Sequence, residues 1–187
     1  MAAPAPSLVS HELRREALLL LDGRGAILST ARELSALIRA ANLVGPVIGG
    51  VAVVLHGHVR TTVDIDIYTS KSASPIADLL VSHGFTHDQV RREFVRDSIP
   101  VLLVLADQLR AEPKQITEID GITTVSLADL IEMKLRSGTA NLLRAQDLAD
   151  VIGLIRCHRL TGEFARHLDK SLRPSFRKLA KAIAAEN

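Results

Sequence analysis

Two aspartates, Asp64 and Asp66, stand two residues apart in the alternating stretch Thr62-Val63-Asp64-Ile65-Asp66-Ile67. The glycine pair Gly49-Gly50 precedes them, with Asp64 fourteen residues after Gly50. Residues two apart on a strand share a face, so the carboxylates project together while Val63, Ile65 and Ile67 face the other way, into a core. Adjacent carboxylates repel. Unless a cation lies between them or water screens them, one takes up a proton. The usual partner of such an oxygen pair is a hard ion such as magnesium. Glycines at a strand-to-helix turn let the backbone approach a phosphate, and a helix N-terminus offers free N–H groups to an anion. Phosphates at one end and a metal at the other suggest a nucleoside triphosphate site. Taken singly, Gly-Gly reads as a plain turn and Asp-x-Asp as a solvated strand face. Their order and spacing together point to chemistry.

Several elements must hold these groups. Leu43 to Ile48 reads as a short buried strand, Gly50 to Leu55 as the start of an apolar helix, and Thr62 to Tyr68 as the carboxylate strand. Before them, apolar residues on one side predict a helix over 7–22 and a second over 25–41. After them, Ser74-Pro75 signals a helix start, with Ser74 as N-cap, and Gly84 its end. Gln89 to Val95 and Ile99 to Leu105 read as strands split by Arg96-Asp97-Ser98. Asp120-Gly121 is a turn between Ile116–Ile119 and Ile122–Val125. Ser126 with Asp129 resembles a capping pair. Helices follow at about 141–158, 161–170 and 174–185. Helices, then strands mixed with helices, then a helical tail predict an α+β architecture. Residues 1–125 form its core with N-terminal helices, and 126–187 a C-terminal helical bundle packed on that core.

At 187 residues, 47% of them hydrophobic, the chain suits one well-cored globular unit. The apolar run Val47 to Leu55 is too short to span a bilayer, and Met1 to Pro6 has no basic segment of the kind that opens a secretory signal. The lone Cys157 cannot form an internal disulfide; it is expected as a small buried apolar residue, and a cytoplasmic location fits. Charge is unevenly placed: residues 1–133 carry 12 Lys and Arg against 16 Asp and Glu, whereas residues 134–187 carry 11 against 5. The basic face with Arg173, Arg177, Lys178 and Lys181 is a solvated surface or a nucleic-acid contact. Aromatic residues make up 3% of the chain, which argues against base-stacking platforms. His56 and His58 have no companions at zinc spacing and are expected to be structural.

Gly49-Gly50, Ala52, His56-Gly57, Arg60, Thr62 and Asp64-Ile65-Asp66 resemble the signature of the polymerase-beta-like nucleotidyltransferase superfamily. The likeness is strongest to its small bacterial members, among them the AbiEii-type abortive-infection toxins. The resemblance implies a nucleotidyltransferase-like mixed sheet and a magnesium ion on Asp64 and Asp66. It also implies a triphosphate seated by Gly49 and Gly50, and transfer of a nucleoside monophosphate to a hydroxyl of RNA, protein or a small molecule. Toxin–antitoxin biology, with an antitoxin partner, follows by analogy. Lys134, in Leu130-Ile131-Glu132-Met133-Lys134-Leu135, matches a lysine that faces the triphosphate, its other reading being a surface lysine. Asp147 and Asp150 are expected to pair with Arg144 or Arg136. Arg60 either neutralises phosphate charge or bridges to Asp64. Thr62 touches a phosphate or bonds a neighbouring strand. One element of the family pattern is missing. The third carboxylate belongs on the strand beside the aspartates, and Ile99 to Leu105 holds no acid. Glu93 or Asp107 replaces it, or the site has two carboxylates. The last case leaves open a catalytically impaired binding or regulatory protein on the same fold.

Overall fold

The computed structural model describes residues 25–70, 72–109 and 112–186, together with Arg15 and Leu19, both helical. The helix expected over 7–22 otherwise lies outside the described residues. Helix α1 (Ala26–Ala40) leads into a two-residue strand β1 (Val47–Ile48), with helix α2 (Gly49–Leu55) directly behind it. Strand β2 (Ile65–Thr69), helix α3 (Ser74–Ser82) and strands β3 (Thr86–Asp88), β4 (Glu93–Arg96) and β5 (Ile99–Leu105) follow. After the short helix α4 (Ala106–Leu109) come β6 (Ile116–Ile119), β7 (Ile122–Val125) and α5 (Leu127–Ala140). Helices α6 (Ala145–Cys157) and α7 (Arg173–Ala185) close the chain, each preceded by a 3-10 segment, Leu142–Arg144 and Gly162–His167. The architecture is α+β.

The strands form one mixed sheet in the order β3-β4-β5-β2-β1-β7-β6. β2 runs parallel to β5 and antiparallel to β1, and β1 runs parallel to β7. Alternation sorts the side chains. Ile65 and Ile67 of β2, Val101 of β5 and Ile122 of β7 point to one face, under the buried stripe Ile27, Leu28, Ala31, Leu34 and Ile38 of α1 and Ile76 and Leu80 of α3. The opposite face carries Ile48, Tyr68 and Val125 and packs against Leu130, Ile131, Val151, Leu154 and Phe176 from α5, α6 and α7. Residues from either side of position 125 therefore share a core.

Turn chemistry sets the hairpins. Asp120 and Gly121 both have positive φ, 51° and 76°, as do Asp97 and Ser98, at 52° and 62°. That geometry matches the strand twist of a two-residue hairpin. Ser126 caps α5, its Oγ accepting from the Asp129 N–H at 3.2 Å. Asp129 Oδ2 accepts in turn from the Lys114 and Gln115 amides, fixing the approach to β6.

Several local expectations need correction. The span expected as a helix over 161–170 is the 3-10 segment Gly162–His167, and Arg96 ends β4 and leaves Asp97-Ser98 as the loop. The strand expected over 43–48 is only Val47–Ile48, because Gly45-Pro46 interrupts pairing. Ser74 is the first helical residue and makes no capping bond; Ala73 occupies the cap. Gln89 to Arg92 turn the chain between β3 and β4, with Asp88 accepting from the Val90 and Arg91 amides. The carboxylate strand expected over Thr62 to Tyr68 is Ile65–Thr69, so Asp66 lies on it while Val63, which is exposed, and Asp64 precede it in a bend.

Candidate functional site

The register of β1 on β2 sets Ile48 beside Asp66, so the chain enters α2 at Gly49 directly over the Asp66 carboxylate. Gly49 has φ +65°, and a Cβ there would fall on Asp66 Oδ2. Both facts call for glycine. A Cβ on Gly50 would lie 2.7 Å from Thr62 Cβ and 3.3 Å from Arg60 Nη2. The glycine pair is thus pressed against the carboxylate loop from across the sheet.

Thr62 is buried and donates from Oγ1 to Asp64 Oδ1 at 2.9 Å. Asp64 and Asp66 are each partly buried. Burial pushes the Asp66 carboxyl up to about 6, and the Asp64 charge pushes the same way against the opposing pull of Lys134, Arg144 and Arg60. Among the described residues, no cation lies within ion-pairing distance of Asp64 or Asp66. Two neighbouring carboxylate oxygen donors without a cation, and without soft donors beside them, fit a hard divalent ion. Among the described residues no group of three or more metal-ligating side chains converges, so the protein would supply two carboxylates.

The part of β5 beside the aspartates is apolar. β5 sets Leu102 opposite Asp66 and Val104 opposite Tyr68. Asp107 lies beyond Leu105, at the far end of β2, at least three strand residues or about 10 Å from Leu102. Glu93 begins β4, two strands away, and pairs with Arg91 at 3.6 Å. Neither acid reaches the aspartate pair.

The helical part closes the other side. Lys134 of α5 is 8% exposed, which rules out the surface-lysine reading. Its Nζ lies 2.7 Å from Asp147 Oδ1 and 2.8 Å from Asp150 Oδ2. Asp150, fully buried, also accepts from Arg60 Nη1 at 2.9 Å and Gln146 Nε2 at 3.0 Å. Arg60 therefore bridges to Asp150 and not to Asp64. Asp147 accepts from Arg144 Nε at 2.8 Å, and Arg136 pairs with Glu132. Burial raises the Asp147 carboxyl, but the Lys134 charge and bonds from Lys134, Ser137 and Arg144 outweigh it and hold the group below the usual carboxylate range. The chain Arg60-Asp150-Lys134-Asp147-Arg144 is continuous and within electrostatic reach of Asp66.

All seven residues singled out from the sequence, Gly49, Gly50, Arg60, Thr62, Asp64, Asp66 and Lys134, therefore meet in one region. Gln146 and Ser137 were missed. Gln146 stands four residues before Asp150, a spacing that puts both on one helix face. Ser137 carries no comparable signal. The histidines join elements: His56 Nε2 bonds to the Val125 carbonyl at 2.9 Å, and the His58 ring fills the space over Gly153. Burial lowers the His56 pKa, and the nearby His158 lowers it further against that bond. Cys157 is exposed, contrary to expectation, because α6 ends there and turns its last residues to solvent.

Among the described residues, no helix is long and apolar enough to cross a membrane. No family model matches the sequence, and no curated protein matches it. Among solved structures, the chain is similar to an antigenic nucleotidyltransferase-like protein from Paracoccidioides brasiliensis. That match has 15% sequence identity, covers 79% of this chain and 77% of that one, and has a TM-score of 0.47.

Proposed function

We propose that the protein is a magnesium-dependent nucleotidyltransferase that moves a nucleoside monophosphate from a nucleoside triphosphate to an acceptor hydroxyl. The observation that carries this reading is the Asp64–Asp66 pair: two adjacent carboxylates, one pushed up to about 6, with no cation of the protein paired to them among the described residues. Carboxylates perturbed by burial and by a like charge cluster at functional sites. Asp64 and Asp66 would hold the metal, with Thr62 fixing the Asp64 carboxylate. When bound, magnesium supplies positive charge to the phosphate oxygens at the transferring phosphorus. Gly49 and Gly50 let the entry to α2 pack directly on Asp66, Thr62 and Arg60, and the triphosphate lies against that turn. Arg60 and Lys134, held by Asp150 and Asp147, add positive charge beside the leaving pyrophosphate. The acceptor hydroxyl oxygen attacks the α-phosphorus in line, forming the new P–O bond as the bond to pyrophosphate breaks, and the hydroxyl proton passes to solvent.

A second reading has its own support. β5 carries no acid and sets Leu102 opposite Asp66, so the third carboxylate that the resemblance implies, the side chain best placed to activate the acceptor, is missing. A protein that binds nucleotide and regulates without turnover fits that departure. Label transfer from an α-labelled nucleotide decides between them. Wild type is expected to transfer label with magnesium, and the Asp64→Asn, Asp66→Asn double variant to lose at least about 100-fold. Magnesium-dependent nucleotide binding without transfer or pyrophosphate release would favour the regulatory reading. Transfer unchanged in the double variant would overturn both. The toxin reading predicts that expression without neighbouring genes arrests growth, and normal growth with active protein would remove it.

A further inference from the structure

The helical end of the molecule carries a charge that the candidate site does not use. Residues 156–186 hold eight Lys and Arg against three Asp and Glu. Helix α7 holds four of the cations, Arg173, Arg177, Lys178 and Lys181, and no acid. Its apolar residues Phe176, Leu179, Ala180 and Ile183 turn to the core. That leaves Arg177, Lys178 and Lys181 exposed on the other side, among Pro174, Ala182 and Ala185. Arg177 lies against Gly162, three residues after the exposed Arg159, so the loop behind α6 extends the same basic surface. Among the described residues, none of Arg159, Arg177, Lys178 and Lys181 is ion-paired, whereas nearby Glu186 is taken by Arg156 and Asp169 by Ser171. Glu163 stays exposed on the adjoining turn.

We propose that Arg159 and the solvent face of α7 form a docking surface for the phosphate backbone of a duplex nucleic acid. The three exposed cations of α7, with the exposed Arg159 three residues before the Gly162 that Arg177 touches, neutralise phosphates and release counterions, which drives such binding without reading bases. Exposed aromatic residues for stacking single-stranded bases are absent from α7, where Phe176 is buried, so a duplex suits the surface better than a single strand. The face also lacks the aromatic and aliphatic anchors of a protein interface, and the large apolar residues a membrane surface would take up point inward. Its position suits delivery of an acceptor. From Asp150, at the candidate site, α6 runs seven residues to Cys157, about 10 Å, and the basic surface begins two residues later. The docking surface stands by itself; its use to seat the acceptor rests on the nucleotidyl-transfer reading.

The test is fluorescence anisotropy of the full chain with a labelled RNA duplex, beside calorimetry of nucleotide binding. Wild type should bind the duplex and weaken by about 100-fold between 50 and 200 mM salt, as about four phosphate contacts require. The quadruple variant Arg159→Gln, Arg177→Gln, Lys178→Gln, Lys181→Gln should lose most of that affinity and most of the salt dependence, with nucleotide affinity and thermal midpoint unchanged. Equal duplex binding by wild type and variant, or wild-type binding to anionic vesicles but not to the duplex, would overturn the surface. Duplex binding that depends on the four cations in a protein that binds no nucleotide would uphold the surface and overturn only the transfer reading.

Discussion

At the scale of single residues, Gly49 and Asp66 constrain each other. An alanine at 49 would combine a disfavoured left-handed backbone with a Cβ on the Asp66 oxygen. Gly49→Ala is expected to destabilise the protein by about 1–3 kcal/mol in urea unfolding and to abolish nucleotide binding. Asp66 also gives the protein a pH dependence. Its carboxyl is raised from 3.8 to about 6, so between those values the folded state holds a proton that the unfolded chain has released. Stability from this group is therefore present at low pH and lost as pH rises through about 6. In chelator, Asp66→Asn should match wild type near pH 4 and be more stable by up to about 3 kcal/mol at pH 8. Magnesium should raise the thermal midpoint of wild type at pH 8 and leave that of the variant unmoved. A wild type insensitive to magnesium would remove the metal from the site.

At the scale of elements, the site depends on α5 and α6 being held to the loop between α2 and β2. Asp150 makes that connection, accepting from Arg60 of the loop, Lys134 of α5 and Gln146 of its own helix while fully buried. Removing one partner of a buried ion pair leaves the other charge stranded. Asp150→Ala is expected to cost about 3–5 kcal/mol in urea unfolding, well above the effect of removing an exposed partner such as Glu118, which pairs with Arg39 on the surface. A loss near that of Glu118→Ala would mean that Arg60 and Lys134 find other partners.

At the scale of the whole molecule, the second core joins sheet and tail. Phe176 of α7 is fully buried in the cluster that also holds Ile48 and Tyr68 of the sheet, and its ring lies 5.5 Å from that of Phe164. Phe176→Ala should lower stability by about 3–5 kcal/mol and keep one cooperative transition, because the tail and the sheet lose the same core. Two separated transitions in urea, followed by both fluorescence and circular dichroism, would instead make 126–187 a unit of its own.

The chain's local chemistry was readable without coordinates wherever a residue's own neighbours decide its conformation. Asp120-Gly121 demands positive φ at both positions, Ser126 caps the helix that follows it, and the i, i+3, i+4 stripe of α1 buries Ile27, Leu28, Ala31, Leu34 and Ile38 but not Leu37 or Ala41. The candidate site was legible for the same reason, since the glycine pair and the aspartates lie on consecutive elements, with Asp64 fourteen residues after Gly50. Tertiary structure alone decided what crosses longer distances. The partner of Arg60 is ninety residues away, Lys134 is buried by two aspartates on another helix, and Leu102 stands opposite Asp66 only because β5 pairs with β2 in that register. Ion pairing and strand register are properties of packing, and no periodicity along the chain encodes which distant carboxylate a cation will meet.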